Sequence, residues 1–280
     1  MDTMFSFNGN GMNNHFMSDE EIMSVCPNAF KTTPTNPNVS DKYVQASTID
    51  VIRDMRNLGW YPVQAKQCRN KKGSSGIRSF HMIAFQNPNI KVMSGDDIEA
   101  YPRIILQNSH DGFNSFKFMV GLYRLICSNG LVIADAEYDK LSIRHINYTF
   151  DELKYIIKTA VEKLPNKIEC INKMKSTELT EDDKCAFVES AIRLRKGVEE
   201  NQKFEISKEE IMEILEPVRE EDKGNSLWAT FNVIQEKLIN GGYYLSNGKK
   251  SRKQRGIKSI KKDIDINVGL YNLAYNYITA

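Results

Sequence analysis

The sequence predicts an α+β fold, with a β-rich first half and a helical second half. Two observations predict it. Up to about residue 150, apolar residues come in short alternating runs broken by Gly, Asn, Ser and Pro; beyond it they recur at i, i+3 and i+4. The two patterns are segregated rather than interleaved, which favours α+β over alternating α/β. The expected organisation is a disordered tail at 1–18, a β-rich half at 19–150, and a helical half at 151–280 containing a basic run at 249–262.

The elements follow in order. Residues 1–18 are polar and Asn-rich, without periodicity. A short helix at 19–26 has Ser18 or Asp19 as its cap, and Pro27, Pro34 and Pro37 punctuate the loop after it. Ser47-Thr48-Ile49-Asp50 opens a second helix, with Val51, Ile52, Met55 and Leu58 on one face and Gly59 as its stop. Trp60–Gln67 and Arg78–Gln86 read as strands joined by a Gly/Ser-rich basic loop, a β-hairpin with a positive tip. Arg103–Gln107 is a third strand, closed by the turn Asn108-Ser109-His110-Asp111-Gly112. Phe116–Ile126 and Leu131–Ala134 flank Asn129-Gly130, a hairpin signal. A helix then begins near Asp151 and ends at Pro165. Others are expected at Lys184–Arg195, Lys208–Leu215, Ser226–Asn240 and Ile266–Ile278, with the basic run as a connection before the last.

A chain of 280 residues can bury an adequate core without staples. No apolar run reaches the roughly 18 residues needed to span a bilayer, and the N-terminus lacks the pattern of a signal peptide. Five scattered cysteines (Cys26, Cys68, Cys127, Cys170, Cys185) form no CxxC pair, which argues for reduced thiols in a cytoplasm and against a structural zinc site. The net charge of +2 conceals strong segregation. Met55–Gly95 holds seven basic residues and no acid, and Lys249–Lys262 holds eight and no acid. Glu178–Asp222 carries fifteen acids against seven bases.

Motifs for chemistry are sparse. There is no GxSxG elbow, phosphate-binding loop or dinucleotide fingerprint, and no cofactor is expected. In the 108–112 turn, His110 and Asp111 could serve as base and orienter, or as metal ligands with His81. Turn chemistry explains every residue type there and is the preferred reading, since neighbours on a strand face opposite ways. Cys127 follows two apolar residues, as a buried small hydrophobe does. Asp96-Asp97 reads as a helix start and Asp182-Asp183 as a solvated face. The basic segments carry more. Lys66, Arg69, Lys71, Lys72 and Arg78, near Trp60, Tyr61, Phe80 and Phe85, combine cations for phosphate with rings for stacking. Lys249, Lys250, Arg252, Lys253 and Arg255, flanked by Tyr243 and Tyr244, form a second such segment. The rival view is that both are solvated loops whose aromatics belong to the core.

Several strings resemble a known family. They are Cys26-Pro27 with Phe30, Ser40-Asp41-Lys42-Tyr43, Gly59-Trp60-Tyr61-Pro62-Val63, His81–Phe85, Leu106–Gly112, Gly121–Leu131, and Leu227-Trp228 with Phe231-Asn232 and Arg252. Over about residues 26–278 the chain resembles the phage/plasmid-like proteins classed as a domain of unknown function, found on bacteriophages and mobile elements. The resemblance implies an infected bacterial host as the setting. It marks Asn108, His110, Asp111, Gly112, Arg124, Cys127 and Asn129 as motif residues without a role. More loosely, the element order is similar to that of RecT and Erf-type single-strand annealing proteins, which is analogy of fold alone.

The expected function is that of a phage DNA-metabolism accessory protein, more a binder than an enzyme. It would hold single-stranded nucleic acid, with DNA the first choice, and anneal strands as a homo-oligomer without engaging membrane. Two alternatives stand beside it. One is an interaction protein that inhibits a host factor, its acidic region mimicking nucleic acid. The other is a metal-dependent enzyme built on His81, His110 and Asp111.

Overall fold

The computed structural model describes residues 15–39, 45–68, 70, 77–94, 97–114, 116–124, 130–133, 142–143, 149–199, 201–246 and 250–279. Strands concentrate in the first half and helices in the second, as the apolar periodicities require, so the fold is α+β. The chain divides into two units, Met1–Lys163 and Leu164–Ala280.

The first unit opens with α1 (Asp19–Val25), which starts because Ser18 and Glu21 form a reciprocal capping box. A 3-10 turn at Pro27–Phe30 follows, then α2 (Thr48–Asn57), which buries Thr48, Val51, Ile52 and Met55. Seven strands make an antiparallel sheet: β1 (Tyr61–Gln67), β2 (His81–Gln86), β3 (Val92–Ser94), β4 (Asp97–Asn108), β5 (Phe116–Arg124), β6 (Gly130–Ile133) and β7 (Ser142–Ile143). The main path runs β1-β2-β4-β5-β6; β3 pairs with β4, and β7 with β5. Strand β2 is buried along its whole length, which fits its unbroken apolar stretch Met82–Phe85. Edge strand β1 is bulged between Pro62 and Gln64, a position where a residue lacking an N–H is tolerated. Residues 15–18 run beside β1: Met17 N donates to Pro62 O, and the Phe16 ring lies 4.8 Å from that of Tyr61. The unit ends with α3 (Phe150–Glu162), capped by Thr149.

Two expectations for this half need revision. Asp97 does not start a helix; it begins β4, paired with Ser94 of β3. The third strand, expected at Arg103–Gln107, is twelve residues long. Pro102 concealed its first part, and it sits where β4 changes partner from β3 (Ala100 with Val92) to β2 (Arg103 with Gln86). The turn at Asn129-Gly130 is partly outside the described residues, but β5 and β6 do pair, Tyr123 opposite Gly130.

The second unit contains α4 (Leu164–Ser176), α5 (Glu181–Lys196), α6 (Lys208–Leu215), α7 (Leu227–Asn240), a two-stranded hairpin of β8 (Gly241–Ser246) and β9 (Ser251–Arg255), and α8 (Ile260–Thr279). Thr180 with Asp183 and Ser207 with Glu210 make capping boxes for α5 and α6. Helix α7 is buried from Leu227 to Gln235. Two of its buried amides find partners: Asn232 donates to Trp228 O, and Gln235 donates to Asn267 Oδ1 at 2.6 Å. Helix α4 carries the expected stop, Pro165, in its first turn, where a proline leaves no hydrogen bond unmade. Where a connection is expected at 249–262, β9 is a strand, and α8 begins at Ile260 rather than Ile266.

Candidate nucleic-acid interface

In the first unit the motif 108–112 lies at the exit of β4, opposite the entry of β2, with Asn108 paired in register with His81. Asn108, Ser109, His110, Asp111, Ser79, His81 and Thr48 are all fully buried. Burial of so many polar groups demands internal partners. His81 Nδ1 lies 2.7 Å from Ser79 O, so that nitrogen carries the proton in the neutral ring. Nε2 then accepts from Thr48 Oγ1 at 2.8 Å, and Thr48 Oγ1 accepts from Asn108 Nδ2 at 2.8 Å. His110 N donates to Ser79 Oγ at 2.7 Å. Thr35 N donates to His110 O and Asn36 Nδ2 to Asp111 O, which straps the 34–37 loop across the turn.

Asp111 uses both carboxylate oxygens. Oδ2 accepts from Ser79 N at 3.1 Å and Oδ1 from Phe113 N at 3.0 Å. Gly112 between them has φ +75°, and a Cβ there would sit 3.0 Å from Val39 Cγ1. The motif therefore ties α2, β2, β4 and the 34–37 loop together. The His81 and His110 rings lie 5.0 Å apart, but both nitrogens of His81 and both oxygens of Asp111 already hold protein partners. Among the described residues no group of three or more His, Cys, Asp or Glu could hold a metal ion.

Two exposed residues emerge beside this network. Arg78 precedes Ser79, and its guanidinium carbon lies 4.9 Å from the centroid of the Phe113 ring. Phe113 is 58 % exposed, although an apolar ring among turn residues gave no periodic signal in the sequence. Of the other predicted cations here, Lys66 is half-buried on β1, while Arg69, Lys71 and Lys72 lie outside the described residues. Arg56, in the same acid-free stretch, pairs with Asp19 at 2.7 Å. The rings that the sequence placed near these cations divide: Trp60 and Phe85 are core, whereas Tyr61 and Phe80 are half-buried. Arg124 ends β5 opposite Ala100; Cys127 and Asn129 lie outside the described residues.

In the second unit, Lys249 lies outside the described residues, and Lys250, Arg252, Lys253 and Arg255 are exposed along β9. Among the described residues, Arg252, Lys253 and Arg255 form no ion pair. The two flanking tyrosines separate by pleat. Tyr243 is buried, its hydroxyl pushed above its usual range by burial, whereas Tyr244 is 44 % exposed with Lys253 Nζ 6.0 Å from its ring centroid. Behind the hairpin, buried Arg195 donates to Leu238 O and Arg255 O and lies over the Tyr243 ring. Lys196 Nζ donates to Gln254 Oε1 at 2.8 Å. Its ammonium is held below the usual lysine range, first by burial and then by the charges of Arg195 and Lys262. Lys196 went unnoticed in the sequence because it belongs to the acidic segment.

Several described carboxylates of that segment and of α7 meet partners within the unit. Glu210 and Glu213 accept from Ser246 N and Tyr244 N of β8. Arg219 makes a two-pronged pair with Glu236, Glu181 pairs with Lys184, and Glu220 with Lys223.

These features define an α+β protein with a buried polar tie in its sheet unit and an exposed basic hairpin in its helical unit. The chain belongs to the family described as Domain of unknown function (DUF932), whose model matches residues 37–264. It is similar to UPF0380 protein YafZ of Escherichia coli (strain K12), 29% identical over 267 residues that cover 94% of this chain and 92% of that protein. UPF0380 protein YfjQ of the same strain is 29% identical over 267 residues, with the same coverage. No solved structure matches.

Proposed function

We propose that this protein binds single-stranded nucleic acid, DNA first, in a phage or mobile-element setting, and acts in strand annealing as an oligomer within the host cytoplasm. The observation that carries the reading is β9, where Arg252, Lys253 and Arg255 stand exposed and unpaired among the described residues, beside exposed Tyr244. Basic residues also protect an edge strand from unwanted pairing. Protection alone, however, explains neither the exposed ring under Lys253 nor the further positive charge of Lys196 and Lys262 close by. Cations for phosphate with a ring for stacking is the combination that holds single strands. Arg78 and Phe113 repeat it in the first unit, and Lys66, Arg69, Lys71, Lys72, Lys249 and Lys250 complete the proposed contact set. No base-reading motif is recognised in the sequence, so sequence specificity is not part of the proposal.

The test is fluorescence anisotropy with single- and double-stranded oligonucleotides across salt. Affinity for the single strand should fall about a hundred-fold between about 50 and about 200 mM salt. The triple reversal Arg252→Glu, Lys253→Glu, Arg255→Glu should abolish most of it. Binding that ignores salt, or that survives the reversal intact, counts against the reading.

A further inference from the structure

We infer that Phe113 is the residue on which an unpaired base stacks in the first unit, with Arg78 completing the stack. The inference rests on the nucleic-acid reading and names what that surface recognises. Phe113, beside Arg78, is 58 % exposed, against buried Trp60 and Phe85. Exposure alone would signify little, since scattered surface apolar residues are ordinary. What distinguishes this ring is how it is held. The buried Asp111 carboxylate accepts from Phe113 N with one oxygen and from Ser79 N, the residue after Arg78, with the other. One group inside the protein thus pins both backbones that carry the exposed pair.

The support extends further inward. Ser79 Oγ takes the His110 N–H, Ser109 Oγ donates to Asn114 O at 3.3 Å beyond the ring, and Gly112 supplies the positive φ that turns the chain outward. A backbone held this firmly leaves only the side-chain rotation to be lost when a planar ligand settles on the ring. Arg78, 4.9 Å from the centroid, brings a delocalised cation that also stacks on rings and grips phosphate. A nucleobase has the matching flat apolar face, and its backbone has the matching charge. Bases in a duplex are already stacked on one another, so this platform favours single strands over double.

The experiment uses the full chain and a single-stranded oligodeoxynucleotide containing 2-aminopurine, whose fluorescence is quenched by stacking on an aromatic ring. Wild-type protein should quench it in a salt-sensitive complex. Phe113→Leu, an exposed substitution that leaves the Asp111 bonds in place, should lose the quench and about ten-fold in affinity while keeping the salt dependence. Phe113→Trp should restore both. If Phe113→Leu binds and quenches as wild type does, the inference falls and the charge-based reading stands. If wild type binds no oligonucleotide at any salt, both fall together.

Discussion

Asp111 shows how a buried carboxyl group is accommodated: each oxygen accepts a backbone N–H, and those bonds join a strand entry to a turn. Cys26 represents the opposite case, a group kept neutral. It is fully buried, with Sγ 3.6 Å from Lys66 O, and burial pushes its thiol from an ordinary 9.0 up to about 12. Because the folded value lies above the unfolded one, the thiol contributes stability that is complete below pH 9 and is lost as pH rises toward 12. The advantage of wild type over Cys26→Ala in urea titrations should therefore shrink above that pH by about 1.4 kcal/mol per unit. An advantage that stays constant from about pH 8 to about pH 10.5 would contradict the assignment.

The β8–β9 hairpin depends on its entry. Gly241 closes α7 at φ 73° and ψ −149°, a backbone region that side chains rarely enter, and a Cβ there would lie 2.6 Å from the backbone of Gln254 and Arg255. Gly242 also has positive φ, yet nothing lies within 4 Å of its Cβ position. Comparing alanine at the two sites separates strain from collision. Gly241→Ala should cost about 3 kcal/mol in thermal melts and weaken oligonucleotide binding by misplacing β9; Gly242→Ala should cost about 1 kcal/mol. Equal losses would show that close approach at Gly241 is unimportant. The hairpin was hard to read in advance because Gly241-Gly242 resembles a helix stop and β9 has almost no apolar residue to alternate.

Across the whole chain a net charge of +2 hides strongly cationic and strongly anionic segments. Among the described acids of 178–222, Asp183 and Glu210 form capping boxes, Glu181 and Glu220 pair with nearby cations and Glu213 bonds β8, while β9 keeps its cations exposed. Polyanion binding should respond accordingly. Neutralising Arg252, Lys253 and Arg255 to Gln should lower the slope of log affinity against log salt by about 2 for single strands, at about 0.7 per phosphate contact. A slope unchanged in the triple variant would place the contacts elsewhere.

The segregation of strands and helices, and the position of several elements, followed from the one-dimensional pattern. Val51, Ile52 and Met55 announce α2, Met82–Phe85 announces β2, and the Ser18 cap announces α1, because apolar spacing and caps are local properties. Roles that depend on distant partners were invisible. Nothing local tells that Asp111 would clamp Ser79, 32 positions away, that Phe113 would stay in solvent, or that Tyr243 and Tyr244 would part between core and surface. A carboxylate becomes a cap, a clamp or a solvated charge according to which N–H groups folding carries to it, and that is a matter of long-range packing rather than of neighbours along the chain.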